Sequence, residues 1–229
     1  MTKYVRINTD CGNNNNVING RAPCQLGWYN WCGKKYCVGK TVLDVGCGMC
    51  DGMDILKKCG ASEVTGQDVD IQLKTINKDL LIMDVKNIAD KSYDIITCFD
   101  VIEHVLDDTV FFNNLIRIAK ELVIITTPNF TRSAAANVYH CREYTIPQFV
   151  NIFKPDELWT ASPDGKIHNT LLLKKQLKSI DSDNNIYYND NTRNDIIYTV
   201  PLDYNLSFTH STVDGKEWPH ICGIFNINC

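Results

Sequence analysis

The sequence predicts an α/β protein with a doubly wound, mostly parallel sheet, and three observations carry that prediction. The first is a strand, glycine turn and helix unit over residues 40–59, in which the apolar run Thr41 to Val45 breaks into a loop with glycines at 46, 48 and 52 and then into a short helix through about Cys59. The second is Asp68, which follows Gly48 by twenty residues at the end of another candidate strand, Glu63 to Asp68. An acid so placed can hold a ribose diol. The third is the continued alternation of short apolar runs with helical segments, which implies right-handed crossovers between parallel strands.

Taken in order, the first forty residues begin with a polar run, Asn13 to Asn16 between Gly12 and Gly20, which reads as a surface loop. An aromatic-rich stretch with Trp28, Tyr29 and Trp31 follows immediately before the first strand. After Asp68 come Leu80 to Met83, a third short strand ending at Asp84, and Tyr93 to Phe99, a fourth ending at Asp100. Asp107 or Asp108 can cap the next helix, whose Phe111, Leu115, Ile118 and Leu122 fall at helical spacing and form a core stripe. Leu122 to Thr127 is a fifth buried strand, stopped by Pro128, and a helix is expected from Tyr144 to Phe153. Beyond it the pattern loosens: 171–173, 196–200 and 221–225 read as later strands, and the polar stretch 181–194 as a loop. Glycines at the first turn allow positive φ and bring a ligand against the backbone, with free N–H groups of the helix N-terminus facing it.

The loop departs from a dinucleotide fingerprint. Asp44 stands two residues ahead of Gly46, where a pyrophosphate site wants no carboxylate, and Cys50 fills the third glycine slot, so a ligand with a cationic centre fits better. Asp-x-Gly-x-Gly after two apolar residues resembles motif I of the class I S-adenosylmethionine-dependent methyltransferases, over roughly residues 40–155. The resemblance implies a seven-stranded sheet whose last strand, here 221–227, is antiparallel. It implies S-adenosylmethionine as cofactor, held around Asp44, Gly46, Cys47 and Gly48, with the ribose at Asp68 beside Val69, the adenine at Asp84 and Val85, and Phe99 at the end of the fourth strand. It divides the chain into a lid or cap over residues 1–39 and a methyltransferase domain over 40–229. In a lid, Arg21 lies near the methionine carboxylate and the aromatics over the substrate. The alternative is a helix packed on the sheet edge through Trp28, Tyr29 and Trp31.

Asp100, Glu103 and His104 stand at i, i+3 and i+4, which one helical turn gathers onto one face, and His140 comes from beyond the fifth strand to the same end of the sheet. Two carboxylates and two imidazoles suit a divalent metal, Mn²⁺ or Mg²⁺. The set resembles that of ubiquinone-pathway O-methyltransferases and small-RNA terminal 2′-O-methyltransferases, with Asp100 where those families carry Glu. A metal-free base at His104 or His140, or a purely structural role for the histidines, is the other reading. Asp100 joins the two histidines as a catalytic candidate. Thr127-Pro128-Asn129 together with His140-x-x-Glu143-Tyr144-Thr145 looks like enzymes that modify saccharides, and the Asn- and Ile-rich composition is similar to proteins of large DNA viruses. The expected acceptor is a sugar or glycan hydroxyl, with a small molecule or an RNA terminus as runner-up and a non-catalytic cofactor-fold module as the other class.

Composition limits these readings. With 44% hydrophobic residues among 229, the chain can bury a sizeable core. A net charge of −4 disfavours duplex nucleic acid as partner. No 18-residue apolar run or signal-like N-terminus is present, so a soluble, cytoplasmic protein is expected, in the host cytoplasm if viral. Eleven cysteines is an odd count at irregular spacings, and Cys37, Cys59, Cys98 and Cys222 sit inside apolar patterns as small hydrophobes. Cys47 and Cys50 form a C-x-x-C and Cys32 and Cys37 a looser pair. No second pair has finger or ribbon spacing, so reduced thiols are expected rather than structural zinc.

Overall fold

A computed structural model describes residues 23–130, 140–161, 167–171, 177–180, 186–188, 198–200 and 220–227. Strands β1 (Thr41–Val45), β2 (Glu63–Asp68) and β4 (Tyr93–Phe99) have the bounds read from the sequence. β3 shortens to Leu81–Ile82, and β5 starts earlier, at Ala119, and runs to Pro128. Leu122 therefore lies in the strand, and the helical stripe ends at Ile118. The later strands are β6 (Glu157–Ala161), β7 (Ile167–Leu171), β8 (Leu177–Ile180), β9 (Ile186–Tyr188), β10 (Tyr198–Val200) and β11 (His220–Asn226). Those expected at 171–173 and 196–200 are thus shifted or shortened.

The main sheet runs β10-β7-β6-β11-β5-β4-β1-β2-β3, with β8 and β9 a separate pair. β3, β2, β1, β4 and β5 are parallel, whereas β11 is antiparallel to both β5 and β6. Those seven strands are the mixed sheet expected, and β7 and β10 lengthen its antiparallel edge.

Among the described residues, four helices cover the parallel half: α1 (Pro23–Tyr36), α2 (Asp51–Lys58), α3 (Asp108–Ile118) and α4 (Ile146–Phe153). Side chains alternate across a strand, so each buried strand feeds two cores. Val42, Ile95 and Ile124 pack with Trp28, Tyr29 and Leu56 of α1 and α2 on one face. Leu43, Ile96 and Val123 pack with Phe111, Leu115 and Phe149 of α3 and α4 on the other. α4 begins two residues later than expected because Thr145 is its cap: the Thr145 hydroxyl and the Gln148 side chain satisfy each other's backbone N–H groups in a capping box, a device worth about 1 kcal/mol. Among the described residues, no helix is long and apolar enough to cross a membrane.

The glycine turn is fixed by the chain around it. Gly46 has φ 67°, and a Cβ there would stand 2.4 Å from Val101 Cγ2, so any side chain would push β1 away from the segment that follows β4. The N–H groups of Gly46 and Cys47 both donate to the Gln67 carbonyl, at 2.8 and 3.0 Å, which ties the turn to β2. All the carboxyl ends of the parallel strands open on the same side, where ligands of such sheets bind.

Candidate active site

One pole of this side is the loop between β1 and α2. Gly48 has φ 51° and donates its N–H to Asp68 Oδ2 at 3.1 Å, so the loop and the end of β2 are already joined. Asp68 Oδ1 accepts from the Val69 and Asp70 N–H groups at 2.7 and 3.1 Å. A carboxylate offers about four lone-pair sites, so three backbone donors leave it room for one more. Val69 is exposed beside it, an apolar surface at the mouth of the loop. Asp84 caps the short 3₁₀ turn Val85–Asn87 by accepting from Lys86 N–H at 3.0 Å.

Val85, Phe99 and Cys47 are buried. Phe99 stacks on Tyr29, centroids 4.5 Å apart, within the α1 core. Arg21 lies outside the described residues.

Asp44 is fully buried, and its Oδ1 accepts two hydroxyl hydrogen bonds, from Tyr29 at 2.9 Å and Thr97 at 2.8 Å. The aromatic stretch is thus the helix α1, with Trp28, Tyr29 and Trp31 inside the core and Tyr29 anchored on a motif I residue.

The second pole lies beyond β4 and β5. Asp100 sits at φ 54°, a left-handed conformation rare for a residue with a side chain. The sequence that follows makes one 3₁₀ turn, Ile102–His104, so Asp100 lies outside the helical turn that was expected to gather the i, i+3 and i+4 side chains onto one face. The consequence is a division of the expected set. Glu103, His104 and His140 each present a ligand atom, and these all lie within 4.8 Å of one another. Asp100 is turned to other partners: it accepts from Thr126 Oγ1 at 2.9 Å and from the Gln25 side chain of α1, and it lies 3.7 Å from His220 Nε2.

Glu103 has no exposed surface. Its Oε2 accepts from Thr127 Oγ1 at 3.1 Å, and its Oε1 is buried without a hydrogen-bond partner among the described residues. Burial pushes its carboxyl well above the usual carboxylate range, and the negative charge of Asp100 pushes the same way; its own backbone N–H, His220 and Thr127 pull back. The His104 and His140 rings meet edge to face, centroids 4.7 Å apart. His140 Nδ1 is bonded to the buried Glu143 carboxylate, which orients the ring and leaves Nε2 for a ligand. The segment is pinned from both sides: Cys141 and Arg142 donate their N–H groups to the Glu103 carbonyl at 2.8 and 3.2 Å, and Asp108 takes Tyr144 Oη at 2.7 Å together with Arg142.

A divalent cation fits this donor set on the chain's own terms. One carboxylate oxygen lacks a partner, two imidazoles stand beside it, and one imidazole is already held by a carboxylate behind it.

Tyr29 was expected in the site only among the aromatics over the substrate, and Gln25, Thr97, Thr126 and His220 were not legible as site residues. Three of them carried a signal: Thr97 and Thr126 are hydroxyls inside otherwise apolar strands, and His220 heads the apolar run of β11.

The "Methyltransferase domain" family model matches residues 32–161, more than half of the chain. The chain belongs to this methyltransferase family. The protein is 27% identical to a ubiquinone biosynthesis O-methyltransferase of Paracidovorax citrulli over 63% of this chain and 69% of that protein. It is 26% identical to a probable S-adenosylmethionine-dependent methyltransferase of Mycolicibacterium smegmatis, over 52% of this chain and about half (51%) of the relative. A crystallised S-adenosylmethionine-dependent methyltransferase from Archaeoglobus fulgidus shares the fold at TM-score 0.55 and 15% identity, over 89% of this methyltransferase and 92% of that one.

Proposed function

We propose that this methyltransferase transfers the methyl group of S-adenosylmethionine to a hydroxyl oxygen of a sugar or glycan, with a divalent cation held by Glu103, His104 and His140. The observation that carries the reading is the buried Glu103 carboxylate, whose Oε1 has no hydrogen-bond partner among the described residues and which lies with ligand atoms of His104 and His140 within 4.8 Å of one another. A carboxylate so enclosed is costly without a compensating positive charge. The name of the Paracidovorax relative supports oxygen as the receiving atom. The likeness of the 127–129 and 140–145 segments to saccharide-modifying enzymes supports the acceptor class.

In the reaction a carbon–oxygen bond forms as the carbon–sulfur bond breaks, and the acceptor hydroxyl loses its proton. The chain's part is to align three atoms. Asp68 receives a ribose hydroxyl at its remaining lone pair, Asp84 faces the adenine amino group, and Val69 offers the apolar surface beside them. Mn²⁺ or Mg²⁺, when bound, lowers the pKa of a coordinated hydroxyl and can take a neighbouring oxygen as well, which favours acceptors with adjacent hydroxyls. His140, tied to Glu143, also has the form of an imidazole–carboxylate base, and that pair supports the runner-up reading of metal-free transfer to a small molecule or an RNA 2′-hydroxyl.

The test is transfer to saccharide acceptors after exhaustive chelation, with Mn²⁺ or Mg²⁺ restored afterwards. The proposal expects activity to vanish and return with the ion. Full activity in the chelated enzyme leaves the histidine base.

A further inference from the structure

The loop that carries Gly46 and Gly48 also carries two thiols with no part in the chemistry above. Cys47 is fully buried, and its Sγ fills the space over Gly66, where an added Cβ would stand 2.8 Å from it. Cys50 is partly exposed, with its Sγ 3.7 Å from the Gly48 carbonyl, and it precedes α2 in the left-handed conformation, φ 70°. The turn between them is closed by the Cys50 N–H, which donates to the Cys47 carbonyl at 3.0 Å. A turn closed in this way brings its first and fourth Cα atoms within about 7 Å, the separation that a disulfide spans at about 4.4–6.8 Å. Cys32, Cys37, Cys98 and Cys222, by contrast, have no exposed surface.

We propose that Cys47 and Cys50 form a reversible disulfide through exchange with a low-molecular-weight disulfide such as oxidised glutathione, and that the bridged loop binds the methyl donor more weakly. The inference rests on the donor site assigned above and not on the acceptor or the cation.

The Cys50 thiolate attacks the incoming disulfide bond, forming a mixed disulfide and releasing one glutathione thiolate. Cys47 then loses its proton, its sulfur attacks the Cys50 sulfur, and the second glutathione thiolate leaves. Two protein thiols are oxidised and one glutathione disulfide is reduced to two thiols. Burial pushes the Cys50 thiol up; contacts with Asn77 and Cys47 pull it back, and the Asp44 and Asp54 charges add to the upward push. The exchange is therefore slow at neutral pH and faster in mild alkali. The bridge weakens donor binding because Gly48, whose N–H holds Asp68 Oδ2 at 3.1 Å, lies between the two cysteines. A covalent tie across Gly48 and Met49 shifts that N–H away from Asp68, and the carboxylate loses the link that sets it towards the ribose.

The experiment treats the full chain with oxidised glutathione and maps the tryptic peptide bounded by Lys40 and Lys57, which contains Cys47 and Cys50 and no other cysteine. Affinity for S-adenosylhomocysteine is measured by calorimetry before oxidation, after it, and after dithiothreitol. The peptide is expected to lose two hydrogens and to retain no glutathione. Affinity is expected to fall about tenfold, the equivalent of one lost hydrogen bond, and to recover on reduction. Cys50→Ser is compared only with itself and should show the same affinity with and without oxidant. A peptide that stays reduced overturns the proposal, as does a bridge that leaves affinity unchanged or a Cys50→Ser protein that still loses affinity on oxidation. Reduced protein that binds no S-adenosylhomocysteine counts against the donor site, and the peptide then decides the bridge alone.

Discussion

Asp44 and Glu103 are both carboxylates with no exposed surface at the carboxyl ends of neighbouring strands, yet the protein treats them differently. Around Asp44 the chain supplies two hydroxyl donors from different elements, Tyr29 on α1 and Thr97 on β4. Around Glu103 it supplies one hydroxyl, and the facing groups are the imidazoles of His104 and His140, with Asp100 adding negative charge. The difference separates two uses of a buried acid. Asp44 is a fixed strut that welds α1 to the sheet below the glycine loop, and Glu103 is an acid whose carboxyl burial pushes up and which the proposed cation would pair with.

The largest expected effect is at Glu103. Glu103→Gln should lower kcat/KM about 100-fold or more if a cation is held there, while the metal-free protein should be no less stable than wild type at neutral pH. The sign follows from the raised carboxyl: a group whose folded pKa lies above its unfolded value gives its full stability below the unfolded pKa and loses it as pH rises through the folded one. At neutral pH Glu103 therefore costs stability, whether as a buried charge or as a proton taken up on folding, and Gln removes that cost. Thermal unfolding with and without Mn²⁺ reads this directly, with a rise in Tm expected for wild type and none for the variant. A variant that keeps the Mn²⁺ shift would break the contrast between the two acids.

At the other pole, Asp68→Ala should weaken S-adenosylhomocysteine binding by about 1.5–3 kcal/mol, the scale of hydrogen bonds to a charged group. Calorimetry showing unchanged affinity would remove Asp68 from the donor site. Tyr29→Phe sharpens the account of Asp44: it deletes one of two hydroxyl donors and should cost about 1 kcal/mol in urea unfolding, with the Mn²⁺ response intact. A loss of that response would mean that the two poles are coupled through α1, whose Gln25 already touches Asp100.

The parallel strands and the glycine turn were legible because their signals are local. Thr41 to Val45 and Tyr93 to Phe99 are short apolar runs with abrupt ends, and the chain keeps those bounds. The site was legible only in part. Glu103, His104 and His140 are together as expected, but Asp100 left the set because the backbone at that residue is left-handed and the turn after it is a single 3₁₀ turn. Residue spacing carries no information about either. The contacts of Asp44 with Tyr29 and of Asp100 with His220 join residues from distant parts of the chain, and a sequence shows such pairs only once the topology is known.

That topology has a consequence for the order in which the molecule can assemble. β11 lies between β5 and β6, pairing Ile221 with Thr127 on one side and Thr160 on the other. Until this segment is made, the parallel half and the β6, β7 and β10 edge have no strand in common, so the sheet is born as two pieces with a gap between them. Contacts so far apart in sequence are slow to form. On a growing chain the donor-binding half can therefore take shape early, while His220 reaches Asp100 only when the gap closes, as the last seam of the fold.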